Sequence, residues 1–228
     1  MALDPDDIET ITFDSFTTLV DVHRSTREAL QAHVEDHEAV AQVWRYRAVE
    51  YRMLSNFMHD VYETYVETTR HALEYALAVN GIELSDEAVD DIVSVFFDLH
   101  PFDDVRESFE RLDREYDLYI ASNGNPAVLD AMVEVCDIDD LILDTVSADE
   151  IQIYKPAVDY YRHVCDRIET PPSKTVHVAT PWYDIYGAKN AGMGTVWVNR
   201  TGGPWETFDG GPDRTVDTLT ELADRFGA

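Results

Sequence analysis

The sequence predicts an α/β protein: a core of parallel strands and connecting helices, interrupted early by a block of helices. Two observations predict it. From about residue 101 onward, short apolar runs at 118–122, 141–146, 175–179 and 195–199 alternate with helical patterns, and strands separated by helices imply right-handed crossovers and parallel pairing. Before that, one strand-like run, Ile11-Thr12-Phe13, is followed by a region at about 24 to 99 that reads as helical throughout. The division expected is a Rossmann-like core of residues 1–22 and 101–228 with an inserted helical cap of residues 23–100.

Taken in order, the first run is β-prone and ends on a carboxylate, Asp14. Ser25 or Thr26 is placed to cap a helix running towards His37. Val43, Trp44, Val49, Met53 and Leu54 recur at helical spacing, interleaved with Arg45, Arg47 and Arg52. A third helix runs through Val61, Tyr65, Leu73 and Leu77, and Asn80-Gly81 is a left-handed cap signal. Ser85 opens a fourth. Pro101 marks the return. A helix at 103–115 then leads to the strand at 118–122, and Asn123-Gly124-Asn125-Pro126 turns sharply into another helix. The strand at 141–146, a helix at 157–168, the strand at 175–179 and a helix at 184–191 follow. Gly192-Met193-Gly194 leads into the strand at 195–199, a Gly/Pro-rich loop spans 201–212, and a last helix spans 216–226.

Composition narrows the function classes. The 228 residues carry 17 basic and 46 acidic side chains, a formal charge of −29. Nucleic acid and anionic membrane surfaces are poor partners for such a molecule. Only Lys155, Lys174 and Lys189 are lysines; acidic excess with few lysines fits a salt-rich cytoplasm, where screening shortens charge repulsion. Cys136 and Cys165 lack metal-ligand spacing and give no disulfide framework. No secretory run opens the chain and no stretch is long enough to span a bilayer, so a cytoplasmic location is expected.

Polar groups follow four of the strands: Asp14, Ser122-Asn123, Lys155 and Asp184. In a parallel sheet these ends share one edge, where ligands bind. Each alone has an ordinary explanation. Asp14, Ser122 and Asn123 could be turn residues, Lys155 a solvated lysine, and Asp184 a helix-start charge. Lys155 stands out because lysine is rare here and precedes Pro156. His177 and His100 receive no site assignment.

Phe13-Asp14-Ser15-Phe16-Thr17-Thr18-Leu19, Ser122-Asn123-Gly124, Tyr154-Lys155-Pro156 and the segment ending at Asp184 together resemble the four motifs of the haloacid dehalogenase superfamily, over essentially the whole chain. Phe16 two after the aspartate, Trp44-Arg45 with Glu50-Tyr51, and Trp182-Tyr183-Asp184 with Gly187-Ala188 and Asn199-Arg200 resemble its L-2-haloacid dehalogenase branch. Phosphatases of the superfamily have a second Asp where Phe16 stands and an acidic pair in the fourth motif, whereas Thr180 stands four before Asp184. A halide leaving group needs no proton and a monoanion attacked at carbon needs no metal, so no cofactor is expected.

The resemblance implies a two-step displacement. Asp14 attacks the halogen-bearing carbon of a 2-haloalkanoic acid with inversion, and water opens the ester. Arg45 would stabilise the halide in a partly dry pocket. Trp44, Tyr65, Trp182 and Phe16 would line it. Ser122, with Ser15 and the backbone N–H groups after Asp14, would hold the substrate carboxylate. Thr18 and Asn123 would orient Asp14, and Lys155 would lower its pKa. Asp184 would pair with Lys155 and help activate the water. Tyr161 matches a functional tyrosine, with Tyr160 a rival. The pattern has Gly where Thr17 stands, and Ser and Asn where Ala179 and Pro181 stand. Relatives imply a homodimer. Two other readings use the same scaffold: a Mg²⁺-dependent small-molecule phosphatase, and a degenerate member that binds a carboxylate metabolite.

Overall fold

The computed structural model describes residues 3–58 and 61–228; Met1 and Ala2, the start of the stretch read for a leader, and His59 and Asp60 lie outside it. In chain order the elements are β1 (Thr10–Phe13), α1 (Val22–Gln31), α2 (His37–Ser55), α3 (Tyr65–Val79), α4 (Asp86–Ser94), α5 (Val105–Leu112), β2 (Asp117–Ser122), α6 (Pro126–Cys136), β3 (Asp144–Ser147), α7 (Val158–Arg167), β4 (Thr175–Ala179), α8 (Trp182–Ala191), β5 (Gly194–Val198), β6 (Arg214–Val216) and α9 (Leu219–Arg225). Among the described residues the sheet has six strands in the order β3-β2-β1-β4-β5-β6, and every pairing is parallel.

β1 lies at the centre, buried on both faces, as its continuous apolar and threonine run requires. The chain goes from β1 to β2 and β3 on one side, then returns to β4 on the other. The order therefore reverses at β1, and the crevice beyond its carboxyl end is the place such sheets bind ligands.

Four helices occupy the excursion between β1 and α5. It leaves and returns at adjacent backbone: the Asp21 amide donates to His100 O at 2.7 Å and the Phe102 amide to Leu19 O at 2.9 Å. Their apolar faces join one continuous core with the sheet, in which Trp44 and Leu73 meet the same cluster as Ile11 and Phe13. No described helix is long and apolar enough to cross a membrane.

Several boundaries differ from the sequence expectation. Asp21, not Ser25 or Thr26, caps α1, its carboxylate accepting from the Arg24 amide. The two hydroxyls instead donate back to Asp21 O and Val22 O inside the helix. α3 starts at Tyr65 behind a Thr64–Glu67 capping box, so Val61 lies outside it. Gly81 does adopt the left-handed conformation, at φ +67°. The apolar run 141–143 is a turn, with Leu143 exposed, and β3 begins only at Asp144. β6 was absent from the expectation; it is a three-residue edge strand directly after the glycine-rich loop.

Thr17 sits at φ +66° in the turn after Asp14. A β-branched residue pays for that conformation and glycine does not. Thr17→Gly is therefore expected to stabilise the chain by about 1 kcal/mol net of the added unfolded-state freedom, a rise in Tm of about 2–4 °C in a thermal melt. An unchanged or lower Tm would count against strain at this turn.

Candidate active site

Asp14 follows β1 directly, and its amide continues the sheet by donating to Val178 O at 2.9 Å. Its side chain is buried, at 5% exposure. Thr18, one turn on, donates its hydroxyl to Asp14 Oδ2 at 2.9 Å and accepts the Thr180 amide at 2.9 Å. The Lys155 ammonium reaches Asp14 Oδ1 at 3.1 Å and Asp184 Oδ2 at 2.8 Å. The nucleophile candidate is thus held on both oxygens, on one by Thr18 from its own strand end and on the other by Lys155 from beyond β3.

The next layer holds Asp184. Its Oδ1 accepts from the Tyr161 hydroxyl at 2.6 Å and faces His177 Nε2 at 2.9 Å. An ionised carboxylate only accepts, so Nε2 carries a proton and Nδ1 faces the Thr12 hydroxyl, 2.9 Å away. Tyr161 reaches Asp184 by passing against Gly187 in α8. A Cβ there would lie 2.4 Å from Tyr161 Cε2 and 2.6 Å from its hydroxyl oxygen, so only glycine admits the ring.

The electrostatics follow from four polar groups removed from water, Asp14, Asp184, Lys155 and His177. Burial pushes the Asp14 carboxyl upward; the Lys155 charge pulls it back without cancelling the effect, and Asp184 adds to the rise. Lys155 does lower the Asp14 pKa, as expected, but burial outweighs it, because one lysine serves two carboxylates. Burial also acts to raise Asp184, but the Lys155 and His177 charges and their hydrogen bonds win, holding it well below the usual carboxylate range. Burial acts to lower Lys155, and the two carboxylates outweigh it, so its pKa is raised.

Asp14 floors a cavity of about 110 Å³ whose walls are mainly apolar, from Phe16, Trp44, Ala48, Tyr65, Phe96 and Tyr183. Phe16 stacks on Tyr65 with centroids 4.3 Å apart. Trp44 is buried, edge-on to Phe96, and its indole N–H is satisfied by Thr69 O at 2.8 Å. Asn123, Pro181, Arg45 and Arg52 complete the part of the wall that matters for charge.

Other expected site residues are placed differently. Ser122 and Ser15 are fully buried and off the cavity wall, their hydroxyls joined at 2.5 Å; Ser122 Oγ also accepts the Gly124 amide. The amides of Thr17, Thr18 and Leu19 are used inside the turn, on Val20 O and Ser15 O. Among the described residues the Ser15 and Phe16 amides have no backbone acceptor. Asn123 does not touch Asp14; its side-chain oxygen accepts the Lys155 amide at 2.9 Å, beside a cis Lys155–Pro156 bond. Trp182 is off the wall and partly exposed, stacked on Phe208 of the late loop because both lack deeper cover. Tyr161 lies behind Asp184, and Tyr160 donates to Val146 O at 2.8 Å, so neither tyrosine lines the cavity. Arg45 lines the cavity but is exposed rather than dry, its guanidinium 3.3 Å from His23 Nδ1.

Sequence reasoning missed three participants. His177 is fully buried and bonded to Asp184. Tyr183 lines the cavity. Arg52, read only as one of the arginines interleaved along its helix, is 8% exposed and lines it too.

A parallel sheet with a strand-end aspartate, a shared lysine and a second buried aspartate defines a class of hydrolase, and comparison with known proteins agrees. The family model for haloacid dehalogenase-like hydrolases matches residues 8–192; the chain belongs to that family. Its relatives include (S)-2-haloacid dehalogenase 4A of Burkholderia cepacia, 31% identical over 95% of this chain and 94% of the relative. Another is the (S)-2-haloacid dehalogenase of Pseudomonas sp. strain YL, 29% identical over 97% and 95%. Among solved structures, the L-2-haloacid dehalogenase of Xanthobacter autotrophicus with chloropropionic acid covalently bound superimposes with a TM-score of 0.87, at 27% identity over 95% of this chain and 97% of that one.

Proposed function

We propose that the chain hydrolyses short-chain (S)-2-haloacids to (R)-2-hydroxyacids and halide through an ester on Asp14. One observation carries the reading: a carboxylate held on both oxygens by Thr18 and Lys155 at the floor of a small apolar cavity. Such a group is oriented to strike carbon, and the cavity suits a molecule of a few heavy atoms. Phe16, packed on Tyr65, fills with hydrocarbon the position at which phosphoester chemistry would use an acid.

In the first step an Asp14 oxygen forms a bond to C2, and the carbon–halogen pair leaves with the halide, with inversion. Arg45, at the exposed mouth, faces the departing ion. In the second step water adds to the ester carbonyl and the ester C–O bond breaks. One water proton goes to the departing alkoxide to give the hydroxyacid, the other is released to solvent, and Asp14 is restored as the carboxylate. Asp184 has three donors on its two oxygens and a depressed pKa, which makes it a poor proton acceptor. Its part is to hold Lys155 in place, rather than to take a proton from the water.

The same proposal treats residues 23–100 as a cap over a core of residues 1–22 and 101–228. It sets the enzyme in a salt-rich cytoplasm, which the charge of −29 and the scarcity of lysine support. It also makes the enzyme a homodimer, the state the resemblance implies.

Chloride release from (S)- and (R)-2-chloropropionate in molar KCl tests the activity. Release from the S form alone, with the R-hydroxyacid as product, is expected. Phosphate release from a generic phosphoester with Mg²⁺, without chloride release, would overturn it. A pH profile adds a second check. The attacking form of Asp14 is the anion and its pKa is raised, so kcat/KM falls as pH drops through a value above that of an ordinary aspartate. An acid limb at or below the usual aspartate value would contradict the burial argument.

A further inference from the structure

The buried face of α2 repeats every fourth residue: Val40, Trp44, Ala48, Arg52. Its fourth member is a charge. Arg52 is 8% exposed, and no carboxylate pairs with it among the described residues. Its Nη1 donates only to neutral hydroxyls, Thr69 Oγ1 at 3.2 Å and Thr68 Oγ1 at 3.4 Å, and its guanidinium lies 4.3 Å over the Tyr65 ring. Arg200, also largely buried, shows the usual solution, a two-pronged pair with Asp104. A buried cation with no counter-ion is costly unless a ligand supplies the anion. Arg52 also keeps Nε and Nη2 as a fork of the geometry that carboxylates accept.

We propose that Arg52 is the receptor for the substrate's carboxylate, a specificity residue of the cavity that holds Asp14. The inference rests on the dehalogenase reading for the identity of the substrate. Arg52 lines that cavity, and Tyr65, whose ring it covers, stacks on Phe16 two residues from Asp14. Of the alternative hydroxyls, Ser15 and Ser122, one donates to the other, and both are fully buried and off the cavity wall. Two arginines on one helix, seven residues apart, then divide the work by exposure. The carboxylate is charged throughout and has to be stripped of water, so it takes the buried guanidinium. The halide has to return to water, so it takes the exposed Arg45.

The test uses the full chain with Arg52→Gln, which keeps donors for the threonine hydroxyls, and Arg52→Lys, which keeps the charge. KM for (S)-2-chloropropionate is expected to rise by about 10- to 100-fold in R52Q, with kcat within about 3-fold, and R52K recovers most of the loss. Propionate is titrated separately, with tryptophan fluorescence as the signal since Trp44 lines the cavity, and its Kd is expected to rise by the same factor. Should R52Q fail to fold, Arg52→Met takes its place in the same assays, with the same rise in KM and propionate Kd expected and an unchanged pair overturning the proposal. An unchanged KM and propionate Kd in R52Q overturns the proposal. So does a fall in kcat with both unchanged, which would put Arg52 on the halide. A wild-type chain that binds propionate through Arg52 yet releases no halide would retire the dehalogenase reading and leave the receptor standing.

Discussion

Asp14→Asn is expected to cut halide release from (S)-2-chloropropionate by about 10⁴-fold or more, because an amide is no nucleophile and the two-step route has no other entry. The amide keeps the shape of the carboxylate and leaves Lys155 paired with Asp184. It also removes a carboxyl that burial disfavours as an anion. The melting temperature should therefore hold or rise while activity vanishes. Chloride release with a parallel melt separates the two effects, and a mutant with full activity would end the ester mechanism.

Lys155→Met should damage both activity and stability. Lys155 is 2% exposed and is the ammonium shared by Asp14 and Asp184. Removing one partner of a buried ionic group leaves uncompensated charge and costs about 3–5 kcal/mol. For a chain of this size that is a drop in Tm of about 6–20 °C. The sign with pH follows. Without the lysine the Asp14 carboxyl, already raised, loses the cation that lowers it, so its folded-state pKa lies further above the unfolded one. The stability it contributes is greatest at low pH and is lost as pH rises through the raised value. The deficit should shrink at pH 5 and widen at pH 8. In the wild type, Lys155's contribution is present below its ordinary pKa and lost as pH rises through the raised one. Asp184's is present above the ordinary carboxylate value and lost as pH falls through the depressed one. Equal melts of mutant and wild type at pH 8 would refute the account.

Much of this was legible in the sequence. β1 and β4 read correctly because central parallel strands are apolar on both faces, and Asp14, Lys155 and Asp184 could be grouped because strand ends share an edge. What failed has local causes. The run at 141–143 is as apolar as a strand, but Leu143 points outward. β6 is too short to show a period. His177 looked like core because every residue of β4 is buried, and alternation says nothing about which buried histidine meets an acid. Ser122 fell on the right strand end, but it is fully buried with its hydroxyl bonded to Ser15 and is not part of the cavity wall. Arg52 was the avoidable miss: placed at spacing four after Val40, Trp44 and Ala48, it announces a charge on the buried stripe.

Gly187 has a further consequence. The missing methyl at that position is the opening through which a phenol gets to Asp184, and that phenol occupies a lone pair that would otherwise be free to bind hydrogen. Even alanine at 187 would shut the opening and force Tyr161 aside. Asp184 would then lose a donor and become more basic, without any change in the acid, the lysine or the histidine. The bare Cα at 187 thus sets whether a third donor joins Lys155 and His177, which remain the main supports of this aspartate's negative charge.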